Sequence, residues 1–327
     1  MMRKRIFFIC GSMNQTTQMH QISQHLGDFE HAFSPFYVDG FDEFLRKLGL
    51  IEFTIAGNRL VSRCRAYLQE HGLPIDDKGQ RLPRDLVVTC SDVYLQKNIC
   101  GQRIVLVQEG ITDPESMMSR LVSRFRFFPL WFAGNALTGL SNAYQVFCVA
   151  SQGYKDFFIK NGAHPERIVV TGIPNFDNCR KYCSNNFPHK HYVLVCTSPV
   201  RETTIQFEDR KAFILRAVGL AGKRPLIFKL HPSEKIMRAT REIHRYAPGA
   251  MVFTTGNTEE MIANCDCLIT RYSSTAFVGL ALGKETYSDF DMEVMRRLIP
   301  IQNGSAARNI AAVCRRLLEE ESNFDLT

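Results

Sequence analysis

No Cys-x-x-Cys pair occurs in this chain of 327 residues, although it carries 11 cysteines. Cys265-x-Cys267 and Cys179-x-x-x-Cys183 lack the paired spacing of a zinc site. The thiols instead fall inside apolar runs, at Cys10, Cys90, Cys148, Cys196 and Cys267, as buried free cysteines do. That usage fits a reducing cytoplasm. No Gly-x-Gly-x-x-Gly opens a helix, so the dinucleotide fingerprint is absent. Lys and Arg number 40 against 33 Asp and Glu, a formal charge of +7, but the basic residues are scattered. Without a basic stripe interleaved with aromatics, nucleic acid is not an expected partner. The modest excess suits an anionic substrate or an anionic membrane surface. Arg3, Lys4 and Arg5 precede only a brief apolar run, Ile6 to Cys10, too short for a signal h-region or a membrane span. No internal repeat of solenoid period is present.

What is present is a long alternation of apolar strands and helical stretches. Hydrophobic residues make up 45% of the chain, enough to fill two α/β domains. Arg5 to Cys10 reads as a strand that runs into Gly11-Ser12-Met13-Asn14 and a helix through Met19, Ile22 and Leu26. Phe36-Tyr37-Val38 reads as a second strand, and residues 41–70 carry helical periodicity. Continuous apolar strands follow at Leu86 to Cys90, Ile104 to Val107 and Val146 to Ala150, as buried parallel sheets use. Ile168-Val169-Val170 precedes Thr171-Gly172-Ile173-Pro174-Asn175-Phe176-Asp177. A second set then begins: strands at Tyr192 to Cys196, Pro225 to Leu230, Met251 to Phe253, Cys267 to Ile269 and Glu285 to Ser288, with helices near 207–220, 258–264 and 305–321. The expected fold is α/β, with two Rossmann-like, doubly wound parallel sheets facing a cleft. The expected limits are 1–172 for an acceptor-side domain and 173–304 for a donor-binding domain. A closing helix at 305–327 would pack back on the first domain.

Ligands of such sheets sit at the carboxyl ends of strands. In the first half those ends carry Gly11, Ser12 and Asn14, then Gln108-Glu109-Gly110. In the second half they carry Ser198, Arg201, Lys229 with His231-Pro232, and Arg271 with Ser273-Ser274-Thr275. A strand, a Ser-rich turn and a helix ending at Gly283 present free backbone N–H groups and the positive end of a helix dipole, which suit a phosphate. The same turn serves equally as a plain helix cap. Glu109, directly after a buried strand, suits a general base, although a carboxylate there could also cap a following helix. One further stretch, residues 117–132, interleaves Arg120, Arg124 and Arg126 with Phe125, Phe128 and the single Trp131. It reads either as an interfacial membrane element or as an amphipathic core helix.

These motifs resemble those of bacterial glycosyltransferases of the GT-B type, including capsule and polysaccharide members. The segment from Thr171 to Asp177 is similar to their interdomain hinge. Cys265-Asp266-Cys267-Leu268-Ile269-Thr270, Ser273-Ser274-Thr275 and Leu282-Gly283-Lys284 are similar to their donor-phosphate turn and helix. Gln108-Glu109-Gly110 with His231-Pro232 resembles the acidic-Gly and His-Pro pair of sialyl- and Kdo-transferases, which use CMP-activated sugars. The resemblance implies inverting transfer of a sugar from a nucleotide donor, CMP favoured, to a surface-polysaccharide or glycolipid acceptor. Glu109 would be the base. His231 would act on the departing phosphate, with Ser198, Arg201, Lys229, Pro232, Arg271, Ser273, Ser274 and Thr275 around it. Gly11, Ser12, Asn14, Gln108 and Gly110 would form the acceptor side. No metal or other cofactor is expected, and the protein would work in the cytoplasm, at the inner membrane face where residues 117–132 meet it. One departure is the absence of an acid at Phe277-Val278-Gly279, where many members hold the donor ribose. Two other readings stay open: an enzyme like UDP-N-acetylglucosamine 2-epimerase, for which Pro199-Val200-Arg201-Glu202 is a partial match, and a non-catalytic nucleotide- or glycan-binding scaffold.

Overall fold

The computed structural model describes residues 3–52, 54–81, 84–112, 138–203 and 208–319. The chain divides into two compact units. Unit 1 comprises Met1–Asp177 and Asn303–Thr327, and unit 2 comprises Asn178–Gln302. Residues 117–132, which read either as an interfacial element or as an amphipathic core helix, lie outside the described residues.

Unit 1 holds a parallel sheet of β1 (Arg5–Ile9), β2 (Glu30–Ser34), β3 (Leu86–Thr89), β4 (Ile104–Val107), β5 (Val146–Val149) and β6 (Ile168–Val170), in the order β2-β1-β3-β4-β5-β6. All residues of β3, β4 and β5 are buried, which is why these strands read as unbroken apolar runs rather than as alternation. The described helices of this unit are α1 (Met13–Ser23), α2 (Gly40–Lys47), α3 (Asn58–Glu70) and α4 (Gln152–Lys160). One core layer joins Ile6, Phe8 and Val88 of the sheet to Met19 and Ile22 of α1 and Cys64 and Leu68 of α3.

Unit 2 holds a second parallel sheet of β7 (Val193–Cys196), β8 (Leu226–Lys229), β9 (Met251–Phe253), β10 (Cys267–Ile269) and β11 (Glu285–Tyr287), ordered β11-β10-β7-β8-β9. Its described helices are α5 (Val200–Thr203), α6 (Arg210–Ala221), α7 (Ile236–Tyr246), α8 (Thr258–Asn264), α9 (Thr275–Ala281) and α10 (Met292–Leu298). The last helix, α11 (Ala306–Glu319), belongs to unit 1, where Ile310, Ala311, Val313, Cys314 and Leu318 enter the core.

Several expectations shift. The second strand is Glu30–Ser34 rather than residues 36–38. Pro35 has no N–H to extend the ladder, and the carbonyl of Tyr37 accepts from the Gln96 side chain at 2.8 Å instead of from a strand. The periodic stretch 41–70 breaks into α2 and α3, with Gly49 at a φ of +73° in the turn after α2. The helix expected at 207–220 begins at Arg210, because Asp209 Oδ1 accepts from Ala212 N at 2.9 Å. The first domain limit falls at Asp177 rather than at residue 172. Pro174–Phe176 is a 3₁₀ turn tied to α1, where Gln21 Nε2 donates to Asn175 Oδ1 at 2.9 Å. Asp177 Oδ2 accepts from Ala306 N at 2.8 Å, capping α11 and holding the returning chain.

Candidate functional site

In unit 1 the chain steps from β1 outward to β2 and then back across to β3, so the direction of winding reverses between β1 and β3. A crevice at the carboxyl ends of strands is the ordinary consequence of that reversal. Ser12 follows β1 and is the N-cap of α1: its Oγ accepts from Gln15 N at 3.2 Å. One lone pair serves the helix, and the hydroxyl proton donates to Glu109 Oε1. Gln15, one turn into α1, donates from Nε2 to Glu109 Oε2 at 2.6 Å, and Gln18 Nε2 donates to the Glu109 carbonyl at 2.9 Å. Two residues of one helix start therefore hold the carboxylate that arrives at the end of β4, and a third holds its backbone carbonyl. Gly11 leaves room for this arrangement, since a Cβ there would lie 1.9 Å from Gln15 Oε1 and push that amide aside.

Glu109 forms part of the wall of a cavity of about 340 Å³, inside the usual range for small-molecule sites. The wall combines apolar groups, among them Phe36, Val38, Ile51, Val93 and Tyr94, with hydroxyl and amide groups and a second carboxylate, Asp42. Cys90 also lines it; burial pushes its thiol well above the usual value, and the nearby Glu109 charge adds to the effect. Of the residues expected on the acceptor side, Ser12 touches Glu109 and Gly110 lines the cavity. Gln108 lines it too, with its amide engaged: Oε1 accepts from Ala150 N at 2.9 Å and Nε2 donates to Gly110 O at 2.8 Å. Asn14 is exposed, and its carbonyl accepts from Asn175 Nδ2. Sequence reasoning passed over Gln15, Gln18 and Asp42. The available signal was the helical spacing of Ser12, Gln15 and Gln18, three residues apart each time.

Unit 2 has its own reversal, between β7 and β10. Thr197 and Ser198 follow β7, and Arg271 follows β10, so they meet at that crevice. The His231 backbone N–H donates to Glu234 Oε2 at 2.9 Å and to Thr197 Oγ1 at 3.1 Å. Its ring Nδ1 accepts from Ser233 N at 3.1 Å, which leaves Nε2 as the protonated nitrogen of the neutral ring. His231 and Pro232 are exposed. The buried Lys229 donates from Nζ to Leu230 O at 3.1 Å, and burial pulls its ammonium below the usual value. Arg201 makes a two-pronged pair with Glu242, at 2.9 and 2.7 Å, and lies 3.2 Å from Glu208. Arg271 donates to Asp289 at 2.6 Å and to Glu208 at 3.4 Å. Glu208, fully buried, is thus shared by Arg201, Arg210 and Arg271. The guanidinium groups that sequence reasoning assigned to phosphate are already paired with carboxylates here. In the Ser turn it is Ser273 rather than Ser274 whose Oγ accepts a helix N–H, from Thr275 at 3.3 Å, and Thr275 Oγ1 donates to the same oxygen at 3.0 Å.

An Asp-x-Asp pair does occur, Asp289-Phe290-Asp291, and the metal-free expectation overlooked it. Both carboxylates are committed. Asp289 pairs with Arg271, and Asp291 caps α10 by accepting from Glu293 N at 2.9 Å and Val294 N at 3.3 Å. Among the described residues, no group of three or more His, Cys, Asp or Glu could hold a metal ion. No helix among them is long and apolar enough to cross a membrane.

Two parallel-sheet α/β units, of six and five strands, define a GT-B-type fold. Solved structures share it. UDP-GlcNAc 2-epimerase from Neisseria meningitidis bound to UDP-GlcNAc matches with a TM-score of 0.60 and 9% identity, over 95% of this chain and 100% of that one. MnaA of S. aureus in complex with UDP matches at 0.59 and 11%, over 97% of each chain. The wall teichoic acid polymerase TagF, as an H444N variant soaked with CDPG, matches at 0.52 and 12%, over 98% of this chain and 90% of that one. No family model matches the chain, and no curated protein matches it in sequence.

Proposed function

We propose that this chain is an inverting, metal-independent glycosyltransferase that moves a sugar from a nucleotide donor, CMP-sugar favoured, to a hydroxyl acceptor. The observation that carries this reading is the Glu109 carboxylate, held by Ser12 and Gln15 in the wall of a ligand-sized cavity at the strand ends of unit 1. In the reaction, Glu109 takes the proton of the acceptor hydroxyl. The acceptor oxygen forms a bond to the anomeric carbon while the bond from that carbon to the donor phosphate oxygen breaks. The nucleotide leaves with the electron pair, and N–H donors offset the new charge. TagF, a polymerase with the same fold and a CDPG soak, supports a cytidine nucleotide donor.

A sugar-nucleotide 2-epimerase is the second reading. Asp42 joins Glu109 in the cavity wall, so two carboxylates face one cavity, and two structures sharing the fold carry UDP or UDP-GlcNAc. Incubation with CMP-, UDP- and GDP-sugars, with and without acceptor, separates the two. Acceptor-dependent release of CMP fits transfer. UDP-GlcNAc converted to its 2-epimer without an acceptor would replace it, and no turnover of any donor would leave a binding scaffold.

A further inference from the structure

The cavity beside Glu109 shows a pattern in what lines it. Its described wall contains two carboxylates, Asp42 and Glu109, and no Lys, Arg or His. A phosphate or carboxylate placed there would face these carboxylates and, among the described lining residues, no cation to pair with. The remaining wall is largely aliphatic and aromatic. Such a site favours a neutral ligand with an apolar body and a hydroxyl at the Glu109 end.

The outer surface next to the cavity continues the theme. Helix α2 contributes Asp42 to the wall, yet it presents Phe41 and Phe44 to solvent at 71% and 55% exposure. One turn on, Leu48 and Leu50 are 56% and 59% exposed, and the next residue, Ile51, lines the cavity. Positions 41, 44 and 48 share one helical face, and no residue of α2 is buried. A contiguous exposed apolar ridge marks a contact surface. At roughly 150–200 Å² per large side chain, these four offer on the order of 400 Å². That is about half of the roughly 800 Å² per partner of a stable dimer, so a second copy is a poor occupant.

We propose that unit 1 takes a neutral amphiphile as acceptor: a hydroxylated head at Glu109 and an alkyl chain that fills the cavity and runs out over Phe41, Phe44, Leu48 and Leu50. This rests on the transferase reading for the word acceptor, but the binding claim does not need turnover. The site selects against acceptors that carry phosphate or carboxylate next to the reacting hydroxyl.

Equilibrium dialysis of the full chain with n-alkyl β-D-glucosides of increasing length, below micelle formation, tests it. Affinity is expected to rise by up to about fourfold per methylene while the chain is being buried. Glucose 6-phosphate should bind more weakly than any alkyl glucoside. Val93→Trp, at a half-buried wall position, should abolish the chain-length dependence. The surface pair Phe41→Ser/Phe44→Ser should flatten it for the longest chains only and leave short ones unchanged. Equal affinity along the series, an undiminished series in Val93→Trp, or preferred binding of glucose 6-phosphate would overturn the proposal. So would a dimer in sedimentation that Phe41→Ser/Phe44→Ser converts to monomer, since the ridge would then belong to a second copy. A clear chain-length series with no donor turnover would sink the transferase reading and leave the amphiphile site standing; turnover without the series would do the reverse.

Discussion

Replacing Glu109 with Gln removes a charge and the proton-accepting oxygen while preserving shape, and the structure allows its cost to be estimated. Glu109 accepts from Ser12 Oγ and from Gln15 Nε2. An amide can keep its oxygen toward Gln15 and donate from its nitrogen to Ser12 Oγ, since a hydroxyl can accept two bonds and Gln15 N uses one. Both contacts survive, but each loses charge assistance, about 1 kcal/mol apiece from the difference between charged and neutral hydrogen bonds. Folding should weaken by no more than about 2 kcal/mol, a fall in Tm of about 4–8 °C for units of this size. Turnover should fall much further, by roughly 10²–10⁴-fold, because among the described residues no other carboxylate is held at the end of β4 to take the proton. Thermal melting, nucleotide Kd and single-turnover nucleotide release with acceptor read the three quantities separately. Wild-type turnover in Glu109→Gln refutes the base assignment. A nucleotide Kd that weakens in step with turnover refutes the division of roles between Glu109 and the donor side.

Gly11→Ala should push Gln15 off Glu109 and cut turnover by about tenfold through lost positioning, with Gly11→Ala/Gln15→Ala no worse than Gln15→Ala alone; additive losses would contradict this. His231→Ala should weaken nucleotide binding as well as turnover, unlike Glu109→Gln, and an unchanged nucleotide Kd would remove His231 from the donor site. Glu208→Ala strips a shared carboxylate from Arg201, Arg210 and Arg271 and should destabilise unit 2 by about 3–5 kcal/mol in urea unfolding; a loss under about 1 kcal/mol would show the network relaxes. The Glu43 carboxyl is held down at about 2 by its hydrogen bond from Arg46, with Lys78 adding to it. A depressed carboxyl stabilises the fold above the ordinary carboxylate range and loses that contribution as pH falls through about 2. The Tm of the native chain should therefore fall more steeply between roughly pH 5 and pH 2 than that of Arg46→Met, and parallel curves would refute the coupling.

The fold was legible because its strands are buried on both faces. Ile104–Val107 and Val146–Val149 read as interior parallel strands and are fully buried ones, and the alternation with helices followed. Misreadings came where one residue governs geometry: Pro35 ends β2 early, Gly49 splits the periodic stretch, and Asp177 rather than Gly172 marks the unit limit by capping a helix far along the chain.

The sequence by itself determined the local chemistry. A carboxylate directly after a buried strand, a His-Pro after another and a Ser-rich turn before a helix are covalent facts of spacing, and each was found where strands end. The tertiary structure alone decided which of these groups are available. Arg201 and Arg271 look like free cations in sequence, but Glu242, Glu208 and Asp289 lie against them in space and take up their charge. Asp289 and Asp291 look like a metal pair, yet one holds an arginine and the other caps a helix. Glu109 read from sequence as a candidate base, but only the fold brings Ser12 and Gln15 of the α1 start to its two oxygens from 97 and 94 residues away. Spacing along a chain fixes periodicity and caps, whereas charge pairing depends on distance in space, which only the folded packing sets.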